Sequence, residues 1–223
     1  MRFLFYYFFF RMFLGNPLLA LFIIVIIYLI IDQKFIGLFP DIFSPFKRKS
    51  RINSLKEEVR LNPANANAYK ELGQLYLETK KYQESIGYFE KTLDKMGDYA
   101  DNRFYLGKAY YLNGQKEKGQ EQLTKALEIN TKVGYGEPYI YLLDNLLSQG
   151  GDKLEINNMI ENIHRFGTPE ILYKAGDTLL KYGDSRGKDL LKEAVENYRG
   201  IPGNFKKIHR RWVFLARIKL IGK

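Results

Sequence analysis

Tyr69-Lys-Glu-Leu72-Gly73-Gln-Leu-Tyr76 and Arg103-Phe104-Tyr105-Leu106-Gly107-Lys-Ala-Tyr110 are one pattern written twice, with Leu-Gly standing 34 residues from Leu-Gly. Each copy runs into a turn, Lys80-Lys81-Tyr82 in the first and Asn113-Gly114-Gln115 in the second. A further helical stretch follows, carrying Ser85, Phe89 and Thr92 in one unit and Gly119, Leu123 and Ala126 in the other. A period of this length, holding two helical stretches and a turn, predicts stacked helix–turn–helix units. The spacing has a physical reason. Gly73 and Gly107 let two antiparallel helices come close, and the large residues around them fill the remaining space. One such unit cannot bury its own apolar face, so several must stack.

A large residue, then Leu-Gly, Tyr, a small residue, an aromatic or Leu, and Ala: this order resembles the tetratricopeptide repeat (TPR). The resemblance implies an all-α solenoid of about four helix pairs plus capping helices. The clear units cover 66–99 and 100–133, the second departing from the motif with Arg103 at the large position. A weaker copy covers 136–166, with Leu143 in place of the close-packing glycine and Glu155 in place of the small residue. Another covers 169–198 and regains Ala175-Gly176, Gly183, Gly187, Leu191 and Ala194. Ser54-Leu-Lys-Glu57 reads as a capping box that starts a short helix ending before Asn62-Pro63. At the other end Phe205, Ile208, Trp212, Leu215 and Ala216 predict an amphipathic helix, with Lys206, Lys207, Arg210, Arg211 and Arg217 on its opposite face.

The N-terminus has a different composition. Phe13 to Ile31 is 19 residues without a charge, a run approaching the ~30 Å of a bilayer core at 1.5 Å per residue. No small-residue cleavage box follows it, so a retained anchor is expected rather than a cleaved leader. The expected organisation is therefore an aromatic segment over 1–12, one transmembrane helix over 13–31, a basic membrane-proximal linker over 32–51, the solenoid over 52–198 and a basic amphipathic capping helix over 199–223. Lys34, Lys47, Arg48, Lys49 and Arg51 outweigh Arg2 and Arg11, which places the solenoid on the cytoplasmic side of an inner membrane. The cluster Lys47, Arg48, Lys49 and Arg51, with Lys206, Lys207, Arg210 and Arg211 at the far end, is expected to meet anionic lipid or an acidic partner.

The net charge of +10 is held at the flanks: residues 1–51 carry +5, residues 199–223 carry +8, and the body between them −3. A dedicated nucleic-acid domain would be basic through its body, so no nucleic-acid partner is expected. The chain has no cysteine, which excludes disulfides, thiolate metal sites and thiol catalysis. His164 and His209 stand on different segments without a ligand set, and no phosphate-cradling glycine loop or nucleophile elbow is present. No enzyme activity, metal or cofactor is expected.

The resemblance implies that the first helix of each unit lines a concave surface. Positions two, five, nine and twelve of each unit are Asn67, Lys70, Gln74 and Leu77; Asp101, Phe104, Lys108 and Tyr111; Glu137, Ile140, Asp144 and Leu147; and Glu170, Tyr173, Asp177 and Leu180. Phe104, Tyr111, Ile140 and Tyr173 are candidate anchors for a partner's helix or extended peptide, unless they pack against neighbouring units. The carboxylate clamp of chaperone-binding TPR proteins is not expected. Lys70 matches its first lysine, but Gln74 replaces an asparagine, and Tyr105, Glu137 and Tyr141 hold the other positions. The expected function is a membrane-anchored protein-interaction scaffold. The alternative is an extracytoplasmic chaperone-like or envelope-assembly factor.

Overall fold

The computed structural model describes residues 4, 6–9, 11, 15–32, 44–96 and 99–222. After an apolar helix α1 (Pro17–Ile31) come α2 (Ser44–Leu61), α3 (Ala66–Glu78), α4 (Tyr82–Met96), α5 (Ala100–Leu112) and α6 (Lys116–Ile129). A short 3-10 turn (Val133–Gly136) leads to α7 (Glu137–Ser148), α8 (Lys153–Phe166), α9 (Pro169–Lys181), α10 (Arg186–Gly200) and α11 (Gly203–Ile221). Helices α3/α4, α5/α6, α7/α8 and α9/α10 are the four expected pairs. The protein is an all-helical solenoid with α2 before the first pair and α11 after the last.

The pairs close where small residues face each other. A Cβ on Gly107 would lie 2.9 Å from the Leu123 backbone nitrogen and 3.0 Å from the Gly119 carbonyl oxygen. Gly176 and Gly187 make the same crossing in the fourth pair, with a Cβ on Gly176 2.8 Å from the Gly187 oxygen. In the first pair Ser85 takes the small position, and its Oγ donates to the Gly73 carbonyl at 2.8 Å. The third pair has Leu143 there, fully buried, in keeping with its weak sequence match.

Apolar packing passes along the stack as linked clusters. Leu55 of α2 packs with Ala68, Leu72 and Tyr76 of α3. Leu77, Ile86 and Phe89 meet Leu106 and Ala109 of the next unit. The largest cluster joins α7 through α11, from Tyr139 and Leu143 to Leu191, Ala194 and Ala216. Each unit thus completes its neighbour's core, which is the energetic logic of a solenoid.

Three expectations change. Helix α1 begins only at Pro17, because Asn16 caps it by accepting from the N–H groups of Leu18 and Leu19. Gly15-Asn16-Pro17 is therefore a helix start inside the expected 13–31 span. The 15 residues that remain give about 22 Å at 1.5 Å each. Among the described residues no helix is long and apolar enough to cross a membrane. Second, the basic cluster of the expected 32–51 linker lies on α2, which starts at Ser44; Pro45 sits in its first turn, where a missing N–H costs nothing. Ser54 and Glu57 are therefore mid-helix and form no capping box. Residues 33–43 lie outside the described residues, as does most of the aromatic N-terminal segment. Third, α11 buries Val213 and Ala216 and leaves Phe205 and Ile208 exposed, so its inward face is rotated from the expected one.

Candidate functional site: the inner row of first helices

Backbones of successive first helices (α3, α5, α7, α9) pack on one another, and α11 packs on α9 as the first helix of a further unit would. Among the described residues the second helices stay farther apart, bridged between α8 and α10 by His164–Glu193 at 2.7 Å and by Arg186–Asn157. The first helices are thus the inner row.

That row is laced together by polar contacts between units. Lys70 of α3 reaches Asp101 of α5 at 3.6 Å. Glu137 of α7 accepts on one oxygen from Lys108 at 2.9 Å, Lys174 at 3.3 Å and the Tyr141 hydroxyl at 3.1 Å. Lys174 also pairs with Glu170 at 2.7 Å. Two turns further along α7, Asp144 accepts from the Tyr111 hydroxyl and from Lys181 at 2.9 Å, with Lys116 at 3.7 Å. Each of these two carboxylates therefore ties the unit before it to the unit after it.

Electrostatics follow from that geometry. Burial alone would raise the Glu137 carboxyl, but the Lys108 and Lys174 ammonium groups outweigh it and hold the group below its ordinary 4.5. Burial likewise opposes ionisation of Asp144, and the Tyr111 hydroxyl and Lys181 outweigh it, leaving that carboxyl below 3.8. Burial and the neighbouring carboxylates push the Tyr111 and Tyr141 hydroxyls up, so both stay protonated as donors. A carboxyl whose folded pKa is depressed contributes stability that is complete above its unfolded pKa and lost as pH falls through the folded one. The melting temperature should therefore hold from neutral to about pH 5 and fall below about pH 4, with a shallower acid limb in Glu137→Gln. Identical acid limbs in the two proteins would mean the network adds nothing to stability.

The structure sorts the expected groove residues into two sets. Position two (Asn67, Asp101, Glu137, Glu170) and position nine (Gln74, Lys108, Asp144, Asp177) lie on the laced inner row, Asp177 pairing with Lys219 of α11. Positions five and twelve mostly turn inward. Phe104 is 3% exposed and Ile140 7%, so both are core residues rather than anchors. Tyr111 is buried with its hydroxyl spent on Asp144, Leu77 is buried, and Leu147 and Leu180 pack against the core. Tyr173 packs against Trp212 of α11, ring centres 5.6 Å apart. Among position-five residues only Lys70 keeps a polar role. The counting missed position six: Glu71, Tyr105, Tyr141 and Lys174. Tyr105 hydrogen-bonds Gln74, stacks on Phe89 at 5.6 Å and stays half-buried. Tyr105 and Tyr141 entered the sequence reading only as mismatches to a clamp, which was the one signal available for this column.

Of the basic residues, Arg51 grips Glu71 through two hydrogen bonds of 2.6 Å, and Arg48 lies 3.8 Å from Glu78. Lys47 and Lys49 are exposed on α2. On α11, Lys206 lies over Tyr198 and Arg211 over Trp212, each at 5.6 Å, with Lys207 and Arg210 on the same helix. Among the described residues no group of three or more His, Asp or Glu is placed to hold a metal.

No protein-family model and no curated relative matches this chain. Among solved structures, MamA superposes with a TM-score of 0.51 at 21% identity, over 73% of this chain and 97% of that one. The C-terminal part of a TPR repeat-containing protein from Cytophaga hutchinsonii gives 0.50 at 14% identity, over 80% and 77%. YrrB, a TPR protein with an unusual peptide-binding site, gives 0.49 at 20% identity, over 75% and 85%. At such identities likeness speaks for the fold, and it agrees with the pairing, the 34-residue period and the small-residue crossings: this chain has the fold of a tetratricopeptide-repeat solenoid.

Proposed function

We propose that the protein is an interaction scaffold held at a membrane by its N-terminal segment, with the solenoid on the cytoplasmic side. A helix or extended segment of a partner protein lies along the inner row of first helices. The observation that carries this reading is the preorganised lacing of that row. Lys108, Tyr141, Glu137 and Lys174 are fixed by one another before any partner arrives, so binding costs little side-chain ordering. The row runs from α3 through α5, α7 and α9, and α11 continues it at the far end. Anchoring is supported by the uncharged run 13–31 and by α1 itself. Leu18, Phe22, Val25, Tyr28 and Ile31 are all more than 40% exposed, an apolar surface around the helix that water does not favour.

A photoreactive residue placed in turn at Asn67 and Leu112 on the inner row, and at Thr124 on the outer row, tests this in cells. The inner positions should yield a common adduct that Thr124 does not. Equal adducts from all three positions, or none from the inner two, would remove the groove as the binding surface.

A further inference from the structure

Several lysines of the solenoid are neutralised by carboxylates: Lys70, Lys108, Lys116, Lys125, Lys174, Lys181 and Lys192 all have one within 4.0 Å. One cleft gathers several that are not. A cleft of about 510 Å³ opens between α2 and the turn joining α3 to α4, and Arg48, Lys49, Lys56 and Lys81 line it together with Asn53, Tyr76 and Thr79. No carboxylate is among its lining residues. Among the described residues Lys49, Lys56 and Lys81 form no ion pair. The four cations come from two separate elements, since Lys81 immediately precedes α4. They converge although like charges repel, and of the four only Arg48 has a carboxylate within 4.0 Å, that of Glu78. The floor is the Tyr76 ring, with the Lys56 ammonium 5.7 Å and the Lys81 ammonium 5.8 Å from its centre. Lysine serves phosphate as a mobile point charge, and the Asn53 amide can add a neutral donor.

We propose that this cleft binds a phosphate group, held by Lys49, Lys56 and Lys81 with Arg48 at its edge. The chemistry is shared by the phosphodiester of an anionic lipid headgroup and by a soluble phosphate ester. Two features bear on the source. Phe46, 76% exposed, lies one helical turn from Lys49 on the same side of α2, and an exposed aromatic beside cations suits the headgroup boundary. Pro45 also follows Ile31 by 14 residues, a tether that reaches at most about 50 Å when fully extended. The site is separate from the inner row and does not depend on what that row binds.

The test is lysine footprinting on the full-length protein in lipid nanodiscs, with N-hydroxysuccinimide acetate as the reagent and mass spectrometry as the readout. Three conditions are compared: phosphatidylcholine alone, phosphatidylcholine with phosphatidylglycerol, and phosphatidylcholine with millimolar glycerol phosphate. Acetylation of Lys49, Lys56 and Lys81 should slow by about threefold or more when the phosphate source is present, with Lys118 and Lys188 unchanged. Protection by phosphatidylglycerol alone assigns a lipid headgroup, and protection by glycerol phosphate assigns a soluble ester. Protection under neither condition, or protection spread evenly over Lys118 and Lys188, overturns the site. The Lys56→Gln, Lys81→Gln variant should lose protection at Lys49. Its side chains are exposed, so its circular dichroism should match the parent; protection that persists in this variant also overturns the site.

Discussion

Gly107→Leu should disrupt the second helix pair and lower the melting temperature by about 6–12 °C. The first added carbon already meets the Leu123 nitrogen at 2.9 Å and the Gly119 oxygen at 3.0 Å. These are backbone atoms of α6, and they cannot rotate aside as a side-chain tip can. The two helices must separate, and Leu123 and Ala126, both fully buried, lose contact with α5. Overpacking costs typically 1–3 kcal/mol, and a clash against backbone belongs at or above the top of that range. For a chain of this size about 3 kcal/mol corresponds to the shift given. Gly87 is the internal control: it lies within α4 and a Cβ there meets nothing within 4 Å. Gly87→Ala should leave the melting temperature unchanged or raise it slightly, since alanine favours helix by about 1 kcal/mol. Equal melting temperatures for Gly107→Leu and the parent would mean that the α5–α6 crossing is not closed as described.

Phe104→Ala should cost about 3–5 kcal/mol, the usual range for a large aromatic emptied from a core. The ring packs with Ala100, Leu123, Ala126, Val133 and Leu142, and so joins the second unit, the 3-10 turn and the third unit. The turn closes onto it: a Cβ on Gly134, whose φ is +59°, would lie 2.9 Å from the ring. Removing the ring takes away the surface against which residues 133–136 fold, and with it the junction between two units. Loss should appear in thermal melts followed by circular dichroism as a broadened or split transition, because a solenoid cut at a junction melts in parts. A variant that melts like the parent but no longer captures a partner would return Phe104 to the groove.

The helix pairs were legible from sequence because their spacing is imposed by geometry. A close crossing needs a small residue at a fixed distance from the turn, and Gly73, Gly107 and Gly176 announce it. The weak third unit also forms a helix pair, Glu137–Ser148 and Lys153–Phe166, with Leu143 filling the space a glycine would have closed. The start of α2 was hidden because the stretch 32–51 reads as a basic linker, although Pro45 is a tolerated first-turn residue of a helix. The inner row was harder. A helical period says which residues share a face, but not how far a neighbouring unit covers that face. Phe104 and Ile140 therefore looked available and are core. The ion pairs Lys108–Glu137 and Lys181–Asp144 join residues 29 and 37 apart, and no local pattern carries information over that distance. Arg51 shows the same limit: it reads as a free cation in a basic run, and Glu71, twenty residues on, takes both its hydrogen bonds.

The placement of Glu137 and Asp144 also gives the protein a mechanical character. Apolar contacts between neighbouring helices act as pivots, while these two carboxylates draw the inside of the arc together like tie-rods. Tie-rods made of carboxylates slacken when protons neutralise them; pivots made of buried leucine and alanine do not. Acid should therefore loosen the inner side of the row while every helix stays intact, so the stiffness of that row is set by proton binding as much as by packing.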